Sequence, residues 1–473
     1  MDVSVLSRVD SLSPLLFSRI QSGLAAEKQR DDSPRVVSPT ADPATPDTRD
    51  ESKRDRTRSY ATHMECALRN FGKGAALGVG GRTAFALLGT LMRSGRHERP
   101  MRAAFVSKEH AQWAAFLGSF LALHNTMLRC HPPAIPRDFR YRQMMAGTLA
   151  GFSLRLAPSY ARPYLALLLS VRAMEVAGRS AAQKGIMPEV LATNADIKLM
   201  MACSAVVMTA WIFEPQLLEP AYLRFLNKQS GKDTRLLRAI AASFDGDLHS
   251  RPGVLPALNA LRAESSLPPL DLAPSCGNLH CNVLHLPVQN CTEHLGFYFA
   301  SGWLRAATLY APVHLLPLVL LRPSALISKP IGVTTQAALK ITRSALFLSS
   351  YCTTGFAVLC FCARAAEKAG TKPKRWHATA LSSVCGLALY FEKPGRRLEL
   401  ALYTLLQAMR CWPHPQAKEA MRKHLSVPAF AIAAGIVSHH YARHPASLRP
   451  SYRSILGRFL DATGGDNHRR LLS

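Results

Sequence analysis

Acidic residues are scarce in this chain: 31 Asp and Glu stand against 58 Lys and Arg in 473 residues, a net charge of +27. Charge of either sign is also thin, at 19% of residues against roughly 25% in soluble domains. A nucleic-acid binder carries its basic excess on a charge-rich surface, so that class is disfavoured. Apolar residues, at 48%, exclude a mostly disordered chain, which needs low hydrophobicity as well as high charge. Enzyme signatures are missing: there is no P-loop, no G-x-S-x-G elbow, no H-E-x-x-H and no G-x-G-x-x-G after a strand. The start, MDVSVLSRVDSLS, lacks a basic region followed by an apolar one, so no secretory leader is expected and the eleven cysteines are expected to be reduced thiols inside a cell. Leu15, Leu16, Phe17, Ile20 and Leu24 could form the apolar face of a mitochondrial presequence, but Asp2 and Asp10 count against one.

What remains is a chain both apolar and basic, the balance of a membrane protein with Lys/Arg-rich flanks. Arg343 and Arg364 bracket twenty uncharged residues, Lys423 and Arg443 bracket nineteen, and His110 and Arg129 bracket eighteen. A hydrocarbon core of ~30 Å needs about 20 helical residues, so these three windows are long enough to span it. Shorter windows at 199–213, 306–321 and 376–391 need Arg or Lys snorkelling at their ends. A soluble α-bundle with buried helices is the competing reading. Against it, the windows lack a charged face, and small residues recur at four-residue spacing. Gly74 with Gly78, Gly147 with Gly151 and Ser382 with Gly386 fit the pattern that lets membrane helices approach closely. Residues 1–60 read as a disordered tail, 227–275 as a polar linker with a short amphipathic helix near 236–244, and 461–473 as a second tail.

The chain repeats itself. Residues 140–175 align without a gap on 375–410, an offset of 235, with nine of 36 pairs identical, among them Gly151/Gly386, Leu154/Leu389, Arg162/Arg397 and Ala166/Ala401. Phe116–Phe120 meets Phe347–Tyr351 at an offset of 231, and Leu218–Leu226 (LEPAYLRFL) meets Leu448–Leu456 (LRPSYRSIL) at 230. Nearly constant offsets in three separate blocks predict an internal duplication, with helical membrane repeats at 61–226 and 276–460. The expected fold is all-α: a polytopic integral membrane protein of two repeated halves with about 8–10 apolar helices, in the manner of duplicated transporters.

FLGSFLALHNTMLRC, MMAGTLAGFSL, a helix ending AMEVAG, and WIFEPQLLEPAYLRFL together resemble the C-terminal half of the transmembrane protein 135 family. SCGNLHCNVLHLPVQNC, followed by YAPVHLLPLVLLRP and RSALFLSS, is similar to that family's Cys/His-containing stretch before an apolar helix. The resemblance covers about 400 residues and omits the N-terminal tail. It implies a polytopic, non-enzymatic protein of peroxisomal or mitochondrial membranes, acting in organelle organisation, dynamics or lipid handling. It also implies a distant similarity to the inner-mitochondrial preprotein translocase channel family. Ser382 replaces the first Gly of the small-residue pair, Gly147 in the first repeat, which departs from the family's Gly pattern and loosens the expected packing there.

Four groups of residues are candidates for function. Cys276, His280, Cys281 and Cys291, with His285 and His294, carry zinc's preferred donors. Their spacing fits no standard zinc pattern, so neither metal nor cofactor is expected. Arg172, Glu175 and Arg179 share one helix face, and the repeat places Gln407 and Arg410 at the positions of Arg172 and Glu175. Glu175 is expected to face protein or a polar groove with an Arg in pairing distance, either Arg172 or Arg179 on its own face or Arg410 across the halves; the other reading is a helix tilted to the interface whose charges snorkel, and Glu219 lies beyond the last helix as a bystander. Tyr222 and Tyr452, in repeated P-x-Y turns, read as interfacial anchors. Lys372, Lys374, Arg375, Arg396 and Arg397 sit at window edges, where they set topology or touch anionic lipid headgroups. The bilayer is thus the expected partner. A conduit between the repeats and, more distantly, a metal-binding or redox protein remain as alternative functions.

Overall fold

Prolines and prolonged apolar runs dictate where the elements of this chain begin and end. The computed structural model describes residues 48–91, 107–129, 139–245, 252–269, 285–286, 290–321, 323–371, 374–411 and 419–460, and every regular element among them is helical. In chain order the principal helices are α1 (Thr48–Leu91), α2 (Lys108–Arg129), α3 (Arg142–Gly151), α4 (Arg162–Gln183), α5 (Ala195–Phe213), α6 (Pro220–Ser230), α7 (Thr234–Phe244), α8 (Val254–Glu264), α9 (Cys291–Leu321), α10 (Pro330–Lys368), α11 (Arg375–Ser382), α12 (Pro394–Cys411), α13 (Ser426–Arg443) and α14 (Pro450–Leu460).

Two expectations change. Residues 48–60, expected in the disordered tail, are the start of α1; no Pro or Gly interrupts the sequence between Thr48 and Gly72, so nothing stops the helix there. The polar linker 227–275 holds the short amphipathic helix expected near 236–244, as α7, and in addition a second helix, α8. Asp233 caps α7 by accepting the Arg235 N–H, and Leu236, Leu237, Ile240 and Phe244 bury its apolar face.

The chain divides into two compact units that cut across the repeats. Unit I joins α1–α4 to α13 and α14, and unit II runs from α5 to α12. In unit I, α13 packs on α3 and α4; in unit II, α5 packs on α11, on the 3-10 turns that follow it, and on α12. Each unit therefore takes four helices from one repeat and receives the fifth and sixth from the other. Its core follows the same division. In unit I, Phe116, Phe120, Leu121 and Leu154 close on Phe430 and Ala434; in unit II, Met200, Val207 and Trp211 close on Phe356, Leu359 and Leu389.

Local geometry recurs at the repeated positions. In both repeats the third helix tightens into 3-10 turns, at Phe152–Leu156 and Ser383–Phe391. Ala157 N donates to Leu154 O and Glu392 N donates to Leu389 O, each at 3.0 Å. The guanidinium Nε of Arg162 donates to Ala157 O at 2.9 Å, and that of Arg397 to Glu392 O at 3.0 Å. Arg162/Arg397 is thus an identity with a task, satisfying a carbonyl that the broken helix leaves exposed. Glu214 and His444, each before a proline, end the fifth helices at φ −138°, ψ 56° and φ −134°, ψ 57°.

Among the described residues two helices are long and apolar enough to cross a membrane: Ala195–Phe213 and the stretch Pro330–Ala366 of α10. The windows bracketed by His110 and Arg129 and by Lys423 and Arg443 fold as helices of 22 and 18 residues, α2 and α13.

Candidate functional site

The Gly seams come first, because they position everything else. A Cβ added at Gly147 would lie 2.6 Å from Ala434 O, and one added at Gly151 would overlap the Ala431 backbone. In unit II a Cβ on Gly386 would lie 2.5 Å from Met201 N. Gly386 is the repeat of Gly151, and Ala431 stands 230 residues after Met201, so one backbone-to-backbone contact occurs in both units with the repeats exchanged. Only residues without a side chain allow such approach. Gly74 and Gly78 do the same for α1 against α2, meeting the backbone at Leu117 and Trp113. Ser382, buried at the position of Gly147, turns its hydroxyl back onto Ala378 O at 2.6 Å.

The charged face of α4 is the centre of unit I. Glu175, with 5% of its side chain exposed, is met by Arg172 at 2.8 Å, Arg179 at 3.3 Å and Arg449 at 2.8 Å. Arg410 on α12 pairs with Glu219, just before α6. Glu175 thus has the two Arg partners offered by its own helix face, while Arg449 takes the place considered for Arg410, because each repeat's fifth and sixth helices pack on the other repeat and bring position 449 to α4 and position 219 to α12. Glu219 is accordingly no bystander.

Tyr222 and Tyr452 are packed against protein. Tyr222 is 9% exposed and meets the Tyr403 ring edge-on at 6.3 Å, while Tyr452 lies under the Arg172 guanidinium at 5.8 Å and packs with Leu169 and Leu456. Both tyrosines, expected as interfacial anchors, stand two residues after the proline that begins each short helix. The basic flanks are also engaged. Arg375 grips Asp245 and lies over the Phe213 ring, Arg396 reaches Glu392 at 3.3 Å, and Arg397 spans the Glu392 and Tyr390 carbonyls. Lys374 is exposed, and Lys372 lies outside the described residues.

Cys276, His280 and Cys281 lie outside the described residues as well. Cys291 opens α9 and carries no disulfide. Among the described residues no three His, Cys, Asp or Glu side chains converge as metal ligands.

His285 and His294 instead join a buried cluster that sequence reasoning missed. Their rings stack at 4.7 Å; His285 Nε2 lies 3.0 Å from Cys360 Sγ, and Lys232 Nζ lies 2.9 Å from His294 Nε2. The Lys232 ammonium sits 4.6 Å from both the Tyr298 and the Phe356 ring centroids. Burial pushes its pKa down to about 8; Arg305 acts in the same direction, Cys360 against it. At neutral pH the amine still carries its proton and donates it to the imidazole. Cation–π contact and hydrogen bond together clamp the α6–α7 turn onto α9 and α10. Gly231, beside Lys232, adopts φ 61° and leaves room for the Arg305 guanidinium, which donates to Gln229 O and Ser230 O at the end of α6. Nothing in the sequence spacing announces this cluster, since its members come from three elements far apart in the chain.

Comparison with family models, with curated proteins and with solved structures returns no match to this chain.

Proposed function

We propose that this chain is a non-enzymatic integral membrane protein of an intracellular organelle, peroxisomal or mitochondrial, that organises its membrane or handles lipid, as the resemblance to the transmembrane protein 135 family implies. One observation carries the reading: large apolar side chains stand exposed at repeated positions of both units. Leu149, Phe152 and Leu156 in unit I correspond to Val384, Leu387 and Phe391 in unit II, and all six are exposed. Contiguous exposed apolar surface is rare on soluble monomers and marks contact with lipid or protein. Its repetition at equivalent positions is what a shared hydrocarbon environment would select. The two span-capable helices and an open groove of about 540 Å³ lined by Phe299, Ala300, Trp303, Leu304, Thr342 and Leu346 support lipid contact as well. The glycine seams leave no space between the helices they join, which favours a scaffold over a conduit.

Organelle fractionation with alkaline carbonate extraction tests integration and address together. The protein is expected to stay in the carbonate pellet of a peroxisomal or mitochondrial fraction. Quantitative release into the supernatant would refute the membrane reading, and a pellet from another compartment would refute the address.

A further inference from the structure

The two ion pairs are the same pair with its charges inverted. Position 175 of the first repeat corresponds to 410 of the second, and 219 corresponds to 449. Unit I joins Glu175 to Arg449, and unit II joins Arg410 to Glu219. In both units the helix-borne position of one repeat meets the turn-borne position of the other, acid to base in one unit and base to acid in the other.

The alternative topology is a closed one, in which each repeat keeps its own fifth and sixth helices. The apolar and backbone contacts discriminate poorly between the two. The Gly151–Ala431 and Gly386–Met201 contacts are equivalent, and the Pro-x-x-Leu-x-Pro turns at Pro215 and Pro445 have nearly the same dihedral angles. Charge discriminates strongly. Closing the first repeat would set Glu175 against Glu219, and closing the second would set Arg410 against Arg449. Arg172 and Arg179 would shield the two acids, so the larger penalty falls on the arginines, where Gln407 replaces Arg172 and position 410 itself is basic. Arg410 and Arg449 are mostly buried, so solvent would screen their repulsion poorly.

We propose that this charge inversion selects the exchanged pairing of α5–α6 with α12 and of α13–α14 with α4, over the closed pairing that the duplicated sequence would otherwise allow. A polar pair that specifies register or partner is a known use of buried charge, and repulsion in the unwanted state is its usual instrument.

The test needs a reporter of pairing. Thr209 Oγ1 on α5 donates to Thr379 Oγ1 on α11 at 2.8 Å, joining the first repeat to the second within unit II. The full chain carrying Thr209→Cys and Thr379→Cys is oxidised in membranes, and the 209–379 disulfide is quantified by mass spectrometry of the linked peptides. Glu219→Arg with Arg449→Glu keeps the composition but makes the closed pairing attractive; it is expected to lower the yield about tenfold. Glu219→Gln with Arg449→Gln removes both pairs without favouring either topology and is expected to lie between. Reversing positions 175, 219, 410 and 449 together with Arg172→Glu and Arg179→Glu, the two side chains that surround position 175, restores opposite charges in the exchanged pairing and is expected to recover most of the yield, even where the two-residue interchange fails to fold. An interchange no worse than the neutral variant, or a loss that this full reversal does not repair, would overturn the proposal.

Discussion

Changing Glu175 to Gln keeps the shape of the side chain and removes the negative charge that pairs with Arg172, Arg179 and Arg449. The carboxylate is 5% exposed, so its contribution is that of a buried ion pair. Breaking such a pair costs about 3–5 kcal/mol, because charges are left in a low-dielectric setting without compensation. Arg172 and Arg179 are partly exposed and can turn toward solvent, which places the expected cost near the lower end, about 3 kcal/mol. For a unit of roughly 200 residues each kcal/mol shifts the midpoint by about 2–4 °C, so the loss should read as roughly 6–12 °C. Thermal melting of the detergent-solubilised protein, followed by circular dichroism, measures it. Glu264→Gln is the control: Glu264 pairs with Arg235 at the surface of unit II, 59% of its side chain is exposed, and its loss should leave the melting point where it was. Equal melting points for the two variants would refute the argument from burial.

Three further outcomes are expected. Gly147→Ala should destabilise unit I by about 1–3 kcal/mol because the new methyl meets Ala434 O, whereas Gly80→Ala, with nothing within 4 Å, should stabilise α1 by about 0.5–1 kcal/mol; the same sign at both sites in chemical denaturation would dismiss the seam. Lys232 titrates near 10.5 when unfolded and near 8 in the fold, so between those values the unfolded chain holds a proton that the fold has released. Stability should therefore rise by about 3 kcal/mol from pH 8 toward 10.5, and melting curves of Lys232→Met should lack that rise. Phe152→Arg and Leu387→Arg place charges on the exposed apolar surface of each unit, at a cost of about 2.5–3.5 kcal/mol if they face the bilayer centre, and should reduce the fraction that resists carbonate extraction. An unchanged pellet fraction in both would remove these faces from the membrane.

Helical class was legible in the sequence because long uncharged windows broken by Pro and Gly leave the chain no other regular structure. The repeat was legible because Arg162/Arg397, Leu154/Leu389 and Gly151/Gly386 perform the same tasks: a carbonyl cap, a fully buried core position and a backbone contact. A local constraint of that kind must be met by the residue itself, so it leaves an identity behind. What the sequence could not decide was which repeat completes which unit. Equivalent helices present equivalent surfaces, and an alignment scores the exchanged and the closed pairing alike. For that reason Arg172 and Arg179 could be offered as partners of Glu175 from its own helix, whereas the partner offered across the halves was its counterpart Arg410, when the exchange delivers Arg449. The Lys232–His294–His285–Cys360 cluster was hidden for a related reason: its residues belong to turns and helices that only the packed unit brings together. Local geometry is set by the nearest few residues and can be read from them, whereas the choice between two nearly equal packings rests on a few long-range charges that acquire their meaning only once the helices are in place.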